Sequence, residues 1–301
     1  MTFFAFILIV FSACLHASWN LLAKRSAMTV AFYTVICCVA ATCWCHVQFW
    51  TPLAVWQMPR LFYIYILCSI FSDLIYCTGL VRAYRTMEMS TAYPMMRSLP
   101  LLFTAAITSL AGWGASLNVL ALLGMLVVFI GCMVVPMKDF RSFNWRDYLN
   151  GRMFFIVLVA CGTTGYTIFD SLAQKIMLAN SGGVSKTVVS PTYYTTRGVL
   201  LGIVLWCYIL NNRSEKANFR AFFTERNWAP LLAGVAAGFT YVLVLMAMNY
   251  VSNVSYVQVF RQVGLIIGMS FGIIFLKEKC TATKVVGVSL ILIGLAMTVI
   301  K

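Results

Sequence analysis

Ten apolar runs, each close to the twenty or so residues that carry a helix across roughly 30 Å of hydrocarbon, follow one another along this chain of 301 residues. They fall near 2–23, 29–50, 61–81, 91–111, 118–136, 153–174, 188–210, 229–250, 253–276 and 283–300. Between them lie short loops, and no length is left over for a soluble domain. Soluble chains are about a quarter charged. Here 10% of residues are charged and 62% hydrophobic, which excludes a soluble globular enzyme, a disordered chain and a secreted disulfide scaffold. The first run lacks a positive leader at Met1-Thr2-Phe3-Phe4 and stays apolar through Leu22, so it reads as an uncleaved span rather than a signal peptide. The expectation is an all-α, multi-pass integral membrane protein of ten transmembrane helices.

The formal charge of +14, from 22 Lys and Arg against 8 Asp and Glu, would point to nucleic acid in a soluble protein. In a membrane protein it fits basic loops beside anionic lipid headgroups, so membrane lipid is the expected contact and nucleic acid is not. Most of the eleven cysteines sit inside apolar runs and act as small hydrophobes. Cys43, Cys45 and His46 are spaced for a soft metal, but packing at a helix end is the plainer reading. No metal or cofactor is expected.

The chain divides at the polar linker, and its two parts resemble each other. Trp19-Asn20-Leu21-Leu22-Ala23-Lys24 aligns without gaps on Phe169-Asp170-Ser171-Leu172-Ala173-Gln174. In that register His16 falls opposite Tyr166 and Asn20 opposite Asp170. Tyr93 and Arg97 match Tyr256 and Arg261 with a one-residue slip, and Gly124 and Gly131 match Gly287 and Gly294. A five-helix unit, residues 1–137, is therefore expected to recur at 153–301 after a linker at 138–152. Five is odd, so the second copy enters the membrane from the other side. Two inverted five-helix repeats are the plan of many secondary transporters, with the solute site near the midplane between the repeats.

The segments His16-Ala17-Ser18-Trp19-Asn20, Ser90-Thr91-Ala92-Tyr93-Pro94 and Phe275-Leu276-Lys277-Glu278-Lys279, the last followed by Gly287 and Gly294, resemble the EamA branch of the drug/metabolite transporter superfamily over nearly the whole chain. The first segment also looks like that of members grouped with phosphonate utilisation. The first half departs from the family at the end of helix 4, where Gly112-Trp113-Gly114 replaces the Glu-basic turn. The resemblance implies a carrier for small polar metabolites, most often an exporter of the bacterial inner membrane, with a central cavity lined by helices 1, 3, 4, 6, 8 and 9. It implies neither ATP hydrolysis nor an enzyme, and the chain has no Gly-rich phosphate loop ending in Lys-Ser/Thr.

Ionisable groups inside spans are costly and normally face a bundle interior or a wet cavity. They are His16, Asp73, Arg97, Asp170, Arg197 and Arg261. Helical spacing puts polar partners on their faces: Trp19 and Asn20 with His16, Tyr76 with Asp73, Tyr93 with Arg97, Tyr166 with Asp170, and Gln258 with Arg261. With Tyr256 these residues form the expected solute site, Asp73 and Asp170 doubling as proton-coupling candidates. Tyr193 and Tyr194, close to a helix start, read as interfacial belt residues. Three arginines against two aspartates leave a surplus cation, which favours an anionic or zwitterionic solute such as an amino acid or an organic phosphate or phosphonate. A lipid-carrier or lysolipid flippase and a multidrug exporter are the alternatives.

Loops after odd-numbered spans hold most of the Lys and Arg, among them Lys24, Arg25, Arg82, Arg85, Lys138 and Arg141, against Arg60, Lys175, Lys186 and Lys301 on the other side. The positive-inside rule then places both termini outside, whereas the family resemblance implies cytoplasmic termini.

Overall fold

The computed structural model describes residues 3–26, 28–110, 119–141, 148, 150–248 and 263–299. The described chain is helical, as a spanning chain must be when hydrocarbon offers its backbone no partner. In order the helices are α1 (Phe3–Arg25), α2 (Val30–Trp44), α3 (Val47–Trp50), α4 (Arg60–Thr86), α5 (Met89–Leu110), α6 (Val119–Val134), α7 (Gly151–Ala179), α8 (Lys186–Asn211), α9 (Arg213–Thr224), α10 (Ala229–Met248), α11 (Val263–Phe275) and α12 (Ala282–Val299). Each expected run holds a helix. α1, α2 with α3, α4, α7 and α8 are long and apolar enough to cross a membrane, while α6, α10, α11 and α12 are apolar and shorter over their described residues. Leu61, Leu67 and Phe71 on α4 and Leu122, Leu126 and Phe129 on α6 are exposed, as lipid-facing side chains should be.

The boundaries differ from the sequence reading in three places. The second run breaks at Cys45 into α2 and α3. The third continues to Thr86 because Lys24 Nζ reaches across to accept the role of cap, donating to Tyr84 O and, at 2.5 Å, to Met87 O. The sixth extends to Ala179 alongside α4. Pro94 and Pro100 lie within a continuous α5.

Helix contacts occur in exchanged pairs. α4 packs on α7 as α1 packs on α10, α5 packs on α7 as α1 packs on α11, and α6 packs on α12. The paired glycines seen in the sequence meet in that last seam. A Cβ on Gly131 would lie 2.7 Å from Gly287 O, and one on Gly294 2.5 Å from Gly124 O. Only hydrogen fits between backbones so close. One pair breaks the exchange: α2 lies tight on α10, with Trp44 Nε1 donating to Gly238 O at 3.0 Å, whereas α4 and α8 meet more sparsely, through the Arg197–Asp73 ion pair and the Phe62 and Tyr193 rings among others. The space this leaves is the cavity described next.

Candidate functional site

A cavity of about 780 Å³ lies among α1, α2, α4, α5, α7, α8 and α10. It reaches Leu178 and Val189 at the α7–α8 turn, so it extends toward one end of the bundle. The opposite end is tied shut. There Glu278 Oε1 and Oε2 accept from Met89 N and Ser90 N, both at 2.7 Å, and hold the first turn of α5. Lys284 Nζ donates to Glu88, to Ser90 Oγ at 2.8 Å and to Lys279 O at 2.9 Å. Lys277, at φ 56°, adopts the left-handed turn that presents Glu278.

Eight of the expected residues line the cavity: His16, Trp19, Asp73, Tyr76, Arg97, Tyr166, Asp170 and Arg197. Asn20 and Tyr93, expected beside the solute, are buried behind them instead. Asn20 Nδ2 donates to His16 O at 2.7 Å, Tyr84 OH donates to Asn20 Oδ1 at 2.5 Å, and Tyr93 OH sits 3.0 Å from His16 Nδ1. Asn20 Nδ2 also lies 3.2 Å from that Nδ1, so both residues contact the imidazole rather than face the cavity. Helical periodicity put them on the right side of α1 and α5 but one layer too deep. Tyr256, Gln258 and Arg261 lie outside the described residues.

The ionic core is more asymmetric than a count of charges implies. Arg197 takes both aspartates: Nη2 is 2.6 Å from Asp73 Oδ2, and Nε is 3.1 Å from Asp170 Oδ1. Nε also lies 2.7 Å from Ser69 Oγ, which in turn donates to Asp170 Oδ1. Tyr33 OH donates to Asp73 Oδ1 and Tyr193 OH to Asp170 Oδ1, each at 2.6 Å. The guanidinium lies 5.6 Å over the Tyr166 ring, within range of a cation–π contact. Buried charge in hydrocarbon persists only when paired and hydrogen-bonded in this way.

Tyr193 is thus no belt residue; it is 2% exposed and sits two turns inside α8, because α8 begins at Lys186. Tyr33 and Ser69 were not singled out by sequence. Ser69 carried a signal, four residues from Asp73 on one face of α4; Tyr33 carried none, buried in an apolar run.

Arg97 stands apart from this cluster. Its Nη1 is 3.4 Å from His16 Nε2, while His16 Nδ1 lies 3.0 Å from Tyr93 OH and 3.2 Å from Asn20 Nδ2. Arg97 Nε is buried with no hydrogen-bond partner among the described residues. An arginine with no carboxylate partner among the described residues, beside the His16 imidazole and the Trp19 ring 5.4 Å from that imidazole, has hydrogen-bonding capacity left for a solute.

Residues 153–300 match the family model described as the EamA-like transporter family. A solved structure titled "Crystal structure of protein" is similar over 97% of this chain and 95% of its own, with a TM-score of 0.59 at 13% identity, a likeness of fold alone. No curated protein matches. Residues 153–300 of this multi-pass integral membrane protein are thus similar to the EamA-like transporter family.

Proposed function

We propose that the chain is a secondary carrier, working without ATP, for a small anionic or zwitterionic metabolite of the amino-acid or organic phosphate and phosphonate class. The observation that carries this reading is Arg97, a cavity guanidinium that no carboxylate neutralises among the described residues, while Arg197 is held by two. Residues 1–137 and 153–301 act as inverted halves joined by 138–152, and their rocking exposes the cavity to each side in turn. The exchanged helix contacts support this, since the tight α2–α10 pair and the open α4–α8 pair would trade places in the opposite state. His16, Trp19, Tyr76 and Tyr166 complete the solute surface, with the segment holding Tyr256, Gln258 and Arg261 contributing from helix 9. The basic loops face the cytoplasm of a bacterial inner membrane, and net flux is outward.

A panel of amino acids, organic phosphates and phosphonates applied to purified protein in a thermal-shift screen tests this. At least one solute stabilises the wild type and fails to stabilise Arg97→Ala. If Arg97→Ala leaves every ligand response intact, the assignment of Arg97 to the solute is wrong.

A further inference from the structure

The ionic core contains one carboxylate more than it has guanidinium groups, and its geometry says which carboxylate is the spare. Asp73 is 4% exposed and uses both oxygens, Oδ1 for Tyr33 and Oδ2 for Arg197. Asp170 takes all of its contacts on Oδ1, from Ser69, Tyr193 and Arg197. Its Oδ2 has none among the described residues, its side chain is 23% exposed, and it lines the cavity. An uncompensated negative charge in a low-dielectric site is stabilised by a cation brought to the free oxygen. Resting on the carrier reading above, we infer that Asp170 Oδ2 is a cation subsite at which a proton and the ammonium group of the solute exclude one another, while Asp73 is the permanent counter-ion of Arg197.

The groups facing Asp170 fit this division. From α4 come Ser69, Asp73 and Tyr76, and from α8 Tyr193, Tyr194 and Arg197. α1 adds His16, α2 adds Tyr33 and Cys37, α5 adds Arg97, and α7 itself adds Tyr166 and Lys175. The Arg and Lys groups among them are Arg197, already shared, Arg97, which has no carboxylate partner among the described residues, and Lys175, beyond Asp170 toward the α7–α8 turn. Tyr76 and Tyr166 stand with ring centroids 5.7 Å apart among the residues lining the cavity that holds Asp170 and Arg97. The cavity then has an acid-accepting pole at Arg97 and an amine-accepting pole at Asp170. A zwitterion fills both; a simple anion fills one. When the zwitterion enters, the Asp170 O–H bond breaks, the proton leaves to water on the side the cavity faces, and an N–H···O ion pair replaces it. One proton is thereby exchanged for each solute, in the opposite direction.

The test uses the full chain in lipid nanodiscs, with alanine carrying both poles, ethylammonium the amine alone and propionate the acid alone. Infrared difference spectra titrated with pH follow the carbonyl stretch of a protonated carboxyl, and a weakly buffered dye follows proton release. The expected result is a titrating band that Asp170→Asn abolishes, that Asp170→Glu retains and that Tyr33→Phe, whose lost hydroxyl donates to Asp73 and not to Asp170, also retains. Asn keeps the Oδ1 acceptor for Ser69 and Tyr193, so the fold survives that substitution. Alanine and ethylammonium remove the band and release a proton; propionate does neither. The inference is overturned if the band persists in Asp170→Asn, if alanine and ethylammonium leave it unchanged, or if propionate removes it equally. Should the band respond as expected while proteoliposomes move no solute, the subsite stands and the carrier reading falls.

Discussion

Arg197→Ala should be the most damaging single truncation in the core. Arg197 and Asp73 side chains are 10% and 6% exposed, so their charges rely on one another rather than on water. Removing one partner of a buried pair costs about 3–5 kcal/mol, mostly the penalty of the charge left behind. Arg197→Ala strands two carboxylates and removes the 2.7 Å contact to Ser69, which argues for the upper end, about 5 kcal/mol. Asp170 softens the loss because it keeps Ser69 and Tyr193 and some exposure. Arg197→Lys retains the charge but has one nitrogen for two carboxylates, so it should lose one charged hydrogen bond, about 2 kcal/mol. Reversible SDS titration in mixed micelles, followed by tryptophan fluorescence, measures the series. In the double variant Arg197→Ala with Asp73→Ala, the loss should fall short of the sum of the singles, since each truncation alone strands a charge the other no longer opposes. An Arg197→Ala loss near 1 kcal/mol, the level of an exposed ion pair, would refute the reasoning.

Other expectations follow from the packing and the tied end. Gly162→Ala places a Cβ 2.5 Å from Tyr76 N and 2.7 Å from Ser72 O, both backbone, so α7 must back away from α4; a loss of about 1–3 kcal/mol is expected in the same titration. Gly151→Ala, with nothing within 4 Å of the new atom, should stay within about 0.5 kcal/mol of wild type. Glu278→Ala removes the acceptor for Met89 N and Ser90 N; it should cost about 1–2 kcal/mol, as loss of a helix cap does, and alter the transport rate while leaving solute affinity at Arg97 in place, checked by paired binding and flux assays. A topology reporter fused after Lys301 should score outside, following the basic odd-numbered loops; a cytoplasmic score would reverse the assignment of sides.

Much of the fold could be read from the chain because lipid imposes a length and an apolar face on every span, and both are local. The glycine seam was legible only as a repeat: Gly124 and Gly131 matched Gly287 and Gly294 in spacing, and in the fold α6 and α12 meet on them. The candidate site was legible only as a list. His16, Asp73, Arg97, Asp170 and Arg197 stood out as charges in apolar runs, but which arginine takes which aspartate depends on residues more than a hundred apart in sequence, Arg197 and Asp73 among them. A tally of three arginines against two aspartates treats the charges alike, whereas the fold places both carboxylates on Arg197 and leaves Arg97 beside His16. Depth was illegible for the same reason. Asn20 and Tyr93 share helix faces with His16 and Arg97, yet neighbouring helices cover them.

The account depends most on solute passing through this cavity by way of Arg97. Proteoliposomes loaded with a mixture of amino acids, organic phosphates and phosphonates, without nucleotide, measure it by mass spectrometry of what leaves over time. The account predicts time-dependent efflux of an anionic or zwitterionic solute that Arg97→Ala abolishes in folded protein. Efflux that is unchanged in Arg97→Ala, or no efflux of any such solute from wild-type vesicles, would contradict it.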